Sequence, residues 1–222
     1  MTTPKAKLAG LALIVALCAG FTLVLTAPAW AGWDEAVAAY QRGDYATALR
    51  EWRPLAEQGH ADAQFNLGLM YSKGKGVPQD DTLAAKWYRK AAEQGQVQAQ
   101  LALAGWHARC GGNIGPLCRL RMGSPNLDYT EAAKWYRLAA EQGNAEAQRN
   151  IGVMYAEGQG VPQDYVMAHK WLNLAAAQGG TTRDTVVKSR DAVAAKMSPE
   201  QIAEAQRVAR EWMAAFEKRK KK

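Results

Sequence analysis

The sequence predicts an all-α protein, a solenoid of stacked antiparallel helix pairs closed at its C-terminal end by a separate helix. Three observations carry that prediction. The motif A-E-Q-G ends at Gly59, Gly95 and Gly143 and its variant A-A-Q-G at Gly179, so it returns at steps of 36, 48 and 36 residues. The motif G-V-P-Q-D ends at Asp80 and again at Asp164, 84 residues later, which is one short step plus the long one. The stretch DDTLAAKWYRKAAEQG from Asp80 nearly repeats as DYTEAAKWYRLAAEQG from Asp128. Self-similarity at a period of a few tens of residues marks stacked supersecondary units, each too small to bury its apolar face alone.

Residues 1–31 stand apart from that fold. Lys5 and Lys7 precede an apolar run from Leu8 to Leu25, and Ala29-Trp30-Ala31 forms an A-x-A cleavage site. This is the build of a secretory signal peptide; an uncleaved membrane anchor is the alternative, because the run is nearly long enough to span. Cys18 follows Leu17, where a lipoprotein signal needs a small residue, so lipidation is not expected. The predicted location is periplasmic or secreted, or the inner membrane if the segment is kept.

The body of the solenoid is expected over 32–217. The segment from Trp33 to Gln41 covers its first end. The units then run about 44–79, 80–127, 128–163 and 164–180, followed by capping helices over 181–217 and a basic tail at 218–222. Asp44, Asp80, Asp128 and Asp164 stand fifteen residues before the four glycines. Aspartate at a helix start accepts hydrogen bonds from unpaired backbone N–H groups, and glycine ends a helix in the left-handed conformation without steric cost. Between these ends Ala84, Trp87, Tyr88, Ala91 and Ala92 recur at helical spacing, as do Ala132, Trp135, Tyr136, Ala139 and Ala140. A second helix follows each glycine, with Ala63, Leu67, Gly68 and Tyr71 in one unit and Ala147, Ile151, Gly152 and Tyr155 in another. Pro54 falls inside the first of these helices and is expected to bend or shorten it. The fourth unit lacks a standard second helix. Ser198, Pro199 and Gln201 give the last helix a capping-box start, and an atypical helix closing a solenoid is what its exposed apolar end requires.

Charge sets limits on partners. Of the 28 basic residues, two lie in the leader and five in Lys218 to Lys222, and the remaining 21 match the 21 acids. A neutral body does not fit nucleic-acid binding, and a basic end reads as a solvated tail.

The combination A-x-x-W-Y-R-x-A-A-E-Q-G, A-x-A-Q-x-N-x-G-x-M-Y and G-x-G-V-P-Q-D, over about Asp44 to Gly179, resembles the Sel-one-like repeat family, relatives of the tetratricopeptide repeats. The resemblance implies a right-handed α-solenoid whose business is protein–protein interaction, often as an assembly adaptor, with the first helices lining the concave side.

The long step comes from CGGNIGPLCRLRMGSPNLD, after the second helix of unit two. Cys110 and Cys118 are the two cysteines outside the leader. In an oxidising compartment such a pair is most simply a disulfide closing a short loop. The alternative is a metal site with His107, one turn before Cys110, but three ligands without a fourth fall short of a structural zinc site. The repeat alignment also puts His107 in the slot of Tyr71 and Tyr155, a packing position. A cysteine-rich bacterial branch of the family staples its units with C-x7-C pairs and is associated with penicillin binding. The matching positions here are Ala92 and Gln100, so that activity is not carried over.

No nucleophile elbow, zinc-protease motif or P-loop is present, and G-K-G lacks the lysine-serine ending of a phosphate cradle. Glu57, Glu93 and Glu141 are one slot in successive units, whereas paired catalytic acids need unlike environments. No cofactor is expected. An envelope hydrolase of amidase or penicillin-binding type stands as the alternative to an interaction module, by family analogy alone.

One pattern points to a partner. Arg50, Lys86, Lys134 and Lys170 stand nine residues before the glycines, and Arg53, Arg89 and Arg137 six before, with Asn173 the exception. An offset of three puts both rows on one face of the first helices, and stacking aligns them into a basic stripe. The stripe fits an acidic peptide or protein surface, since arginine binds carboxylates bidentately. Alternatively each arginine pairs with the glutamate four residues on, Arg53 with Glu57, Arg89 with Glu93 and Arg137 with Glu141, and the stripe is solvated surface.

Overall fold

A computed structural model describes residues 32–111, 125–180 and 183–221. Ten helices occupy them, and no strand is found among the described residues. These are α1 Trp33–Arg42, α2 Tyr45–Glu57, α3 Ala61–Lys73, α4 Asp81–Glu93, α5 Val97–Gly111, α6 Pro125–Glu141, α7 Ala145–Glu157, α8 Tyr165–Ala177, α9 Arg183–Ala194 and α10 Pro199–Lys220. Each helix from α1 to α8 packs on the next in series. The units are therefore α2–α3, α4–α5, α6–α7 and α8–α9, with α1 before them and α10 returning onto α8.

The starts and stops follow the expected chemistry with one exception. Asp44 accepts from the Thr47 N–H at 3.1 Å, Asp80 from those of Thr82 and Leu83 at 2.8 and 2.9 Å, and Asp164 from that of Met167 at 3.0 Å. Gly59, Gly95, Gly143 and Gly179 have φ of 102°, 89°, 88° and 76°, a region that side chains disfavour. Asp128 is the exception. It lies inside α6, which begins at Pro125, because proline serves at a first helical turn where its missing N–H is not needed. Pro54 does not shorten α2, which has 13 residues like α4 and α8. It sits on the exposed face of α2, where a carbonyl deprived of its partner can be hydrated.

Alanines let the helices approach, and the second-helix glycines receive the next unit. A Cβ on Gly68 would stand 2.7 Å from the Tyr88 ring, and one on Gly152 would stand 2.9 Å from Leu172. Trp52, Trp135 and Trp171 are buried. Trp87 is half-buried, with the Lys90 ammonium 4.5 Å from its ring centroid. α1 covers the first end through Ala36 and Ala39, packed with Trp52, and α9 takes the place of the second helix of the fourth unit through Val186 and Val193.

A buried amide relay ties the units together. The side-chain N–H of Gln64, Gln100 and Gln148 donates to the carbonyls of Ala56, Ala92 and Ala140 at 3.0, 3.1 and 3.2 Å. The Oε1 of each accepts at 2.8 Å from the next unit, from Gln94, Gln142 and Gln178. The Gln of A-E-Q-G and the Gln of A-x-A-Q are thus donor and acceptor of one contact between repeats. The glycines of G-x-G are turns. Gly74 and Gly158 end α3 and α7 in left-handed conformation, while Gly76 and Gly160 lie against Tyr45 and Tyr129.

Candidate partner-binding groove

The arginine row is held by the second helices. The Arg53 guanidinium donates to the Tyr71 hydroxyl at 3.3 Å and that of Arg137 to the Tyr155 hydroxyl at 2.9 Å, while that of Arg89 lies 3.5 Å from His107 Nε2. His107 is buried and fills the slot of the two tyrosines, as its repeat position indicates. Among the described ion pairs, none joins Arg53 to Glu57, Arg89 to Glu93 or Arg137 to Glu141. The proposed pairing four residues on is not what these arginines do. Each reaches a residue eighteen positions on, across the helix pair, because the second helix presents its acceptor beside the first.

The lysine row divides. Lys86 and Lys134 are exposed, and Lys134 stands 4.0 Å from Glu131. Arg50 is exposed and paired with Glu51 at 2.9 Å. Lys170 is only partly exposed and lies 4.3 Å over the Trp171 ring. Burial pushes its pKa below the ordinary value, and Glu141 acts in the opposite sense. The cause is α10. Trp212 meets Trp171 edge-on at 5.7 Å and stacks on Phe216 at 4.8 Å, and a Cβ on Gly143 would run into the Phe216 ring at 2.5 Å. The closing helix therefore lies across the first-helix face of units three and four.

Where α10 ends, a groove of about 880 Å³ opens between α4, α6 and α10. Arg89, Lys134 and Arg219 line it together with Trp135, Leu138 and Trp212. Leu138 is 37% exposed and is the large apolar side chain that stands open to water among the described residues. The groove thus unites two residues of the basic stripe, Arg89 and Lys134. Lys86 and Arg137 lie exposed on α4 and α6 without lining it, Arg50 and Arg53 lie exposed on α2, away from it, and Lys170 on α8 is only partly exposed and does not line it. The reading of Lys218 to Lys222 as a separate tail meets a helix that runs through Lys220 and carries Arg219 into the groove. The signal is visible in the sequence, since Ala205, Ala209, Trp212 and Phe216 share a helical stripe, but a stripe says only that a helix docks, not where.

Cys118, and with it the proposed disulfide to Cys110, lies outside the described residues, as does the leader. Among the described residues no three His, Cys, Asp or Glu side chains gather as metal ligands, and no helix is long and apolar enough to cross a membrane.

Comparison with known proteins places this architecture. The Sel1 repeat family model matches residues 61–96, 113–144 and 145–180. The crystal structure of a Sel1 repeat protein from Oxalobacter formigenes superposes with a TM-score of 0.52 at 33% identity, covering 64% of this chain and 97% of that one. The chain belongs to the Sel1 repeat family. Its helices pack in series as an all-α solenoid of the Sel1-repeat kind. Sel1 relatives include an exopolysaccharide production negative regulator of Rhizobium leguminosarum bv. viciae, 42% identical over 57 residues, covering 26% of this chain and 21% of the relative. Another is chitin synthase regulatory factor 4 of Schizosaccharomyces pombe, 38% identical over 65 residues, covering 29% of this chain and 10% of the relative. The chain thus spans about a fifth and a tenth of these two proteins. Sel1 repeats are in general protein-interaction modules.

Proposed function

We propose that the protein is an exported adaptor that holds an acidic protein or peptide segment on its first-helix face, and that it acts by binding rather than by catalysis. The observation that carries this reading is the convergence of exposed Arg89 and Lys134, from different repeats, on one open groove. Arginines anchored by Tyr71, His107 and Tyr155 are pre-positioned, so less side-chain freedom is lost when a carboxylate arrives. The names of the relatives support a regulatory rather than catalytic role. Export rests on the charged, apolar and A-x-A succession of residues 1–31, and a mature chain starting at Gly32, seen by intact mass, is the expected result. For binding, replacement of Lys86, Arg89, Lys134 and Arg137 by serine is the test. Loss of partner capture in a folded variant is expected, and undiminished capture refutes the reading.

A further inference from the structure

From the placement of α10 we infer that the basic C-terminal end of the chain is the third wall of the binding groove, and that the occupant is an acidic peptide segment carrying an apolar side chain among its carboxylates. The inference rests on the first-helix face being the partner surface, and adds to it who fills the groove and what completes it.

The end of α10 is fixed by built contacts. Phe216 is seated on Gly143 and stacked on Trp212. One turn on, the Arg219 guanidinium and the Lys220 ammonium lie 5.7 and 4.7 Å from the centroid of the Phe216 ring. Arg219 thereby comes to line the same groove as Arg89 and Lys134. Three cations from three helices, two of them repeats and one the closing helix, surround a single opening. Among the described ion pairs none engages Arg89 or Arg219, so their charge is available to a ligand. Further cations at Lys218, Lys220 and Lys221 extend the positive field past the rim, raising the local concentration of an acidic segment.

The groove is not merely charged. Leu138 stands exposed within it beside Trp135 and Trp212, a foothold for one apolar side chain of the occupant. Glu93 and Glu141 also line the opening. They repel carboxylates set in the wrong register, so an occupant must place its apolar residue between acidic ones rather than present a uniform acidic run.

The test uses the full chain in mild detergent and a fluorescein-labelled twelve-residue peptide of glutamates with a central leucine, read by anisotropy. Two variants are compared, Arg219→Ser with Lys220→Ser, and Arg89→Ser with Lys134→Ser. A third, Lys73→Ser with Lys188→Ser, removes the same charge from exposed sites on α3 and α9, and circular dichroism verifies folding. The expected result is saturable binding that weakens with salt, a loss of about fivefold or more in both groove variants and little change in the third. A glutamine version of the peptide does not bind, and a peptide without the leucine binds more weakly. If only the Arg89 and Lys134 variant loses affinity, the composite wall is refuted while the first-helix surface stands. If neither variant loses it, or the unaltered chain ignores the peptide, both fail. Tighter binding to phosphatidylglycerol vesicles than to the peptide overturns the inference and marks the basic end as a membrane contact.

Discussion

Replacing Gln148 with alanine tests the amide relay that joins the third and fourth repeats. Gln148 is fully buried; its N–H donates to the Ala140 carbonyl at 3.2 Å and its Oε1 accepts from Gln178 at 2.8 Å. The two hydrogen bonds contribute about 1 kcal/mol each net. The void left by the amide and its stem adds a further part, offset because the Ala140 carbonyl keeps the Gly143 N–H at 3.0 Å. The sum is about 2–3 kcal/mol, or about 5–10 °C in Tm for a body of this size. Gln178 is exposed, so in Gln178→Ala water replaces one partner and the cost falls to about 1 kcal/mol. Because the two side chains share a bond, the double variant should lose less than the summed single losses, by about 1 kcal/mol. Urea unfolding followed by circular dichroism at 222 nm supplies all three values. A Gln148→Ala cost within about 0.5 kcal/mol of zero, or one no larger than that of Gln178→Ala, refutes the relay as an inter-repeat tie.

Two further predictions concern a repeat turn and a buried histidine. Gly95 and Gly143 occupy the same slot with φ of 89° and 88°, but a Cβ on Gly95 meets nothing within 4 Å while one on Gly143 meets Phe216. Gly95→Ala should cost about 1 kcal/mol of backbone strain, and Gly143→Ala about 1–2 kcal/mol more. The excess should vanish in a Phe216→Ala background, as read by the same urea titrations. His169 is buried in α8, and burial first, then Arg190, lowers its pKa below the ordinary value, with Asp191 acting against them. Its folded pKa lies below its unfolded one, so the unfolded chain binds more protons and stability rises with pH. The stability is present above the ordinary histidine value of 6.5 and is lost as pH falls below it. Scans of Tm between pH 7.5 and 5.5 should show a loss on acidification that His169→Gln reduces.

The repeat frame was legible because its punctuation is local. An aspartate side chain reaches its own first turn and a glycine stops its own helix, so Asp44, Asp80 and Asp164 and the four glycines reveal themselves by spacing. Asp128 misled because the insertion before it brings Pro125, which starts the helix earlier. The relay is not legible in the sequence, because buried Gln64, Gln100 and Gln148 look like surface polar residues until the next repeat is stacked upon them. The same holds for the site. Arg89 and Lys134 could be aligned from sequence, whereas the partners of the arginines are set by helix pairing rather than by a four-residue interval. The contribution of Arg219 depends on where α10 docks, which Trp212 and Gly143 decide jointly from positions 69 residues apart.

Site-directed photocrosslinking in the native cells tests the assignment of the binding face most directly. A photoreactive residue at Leu138, in the groove, should trap a specific protein, and trapping should fall when Arg89 and Lys134 are changed to serine. The same residue at Leu69, which lines the opposite, second-helix face, should not. Trapping from Leu69 with none from Leu138 would contradict the account.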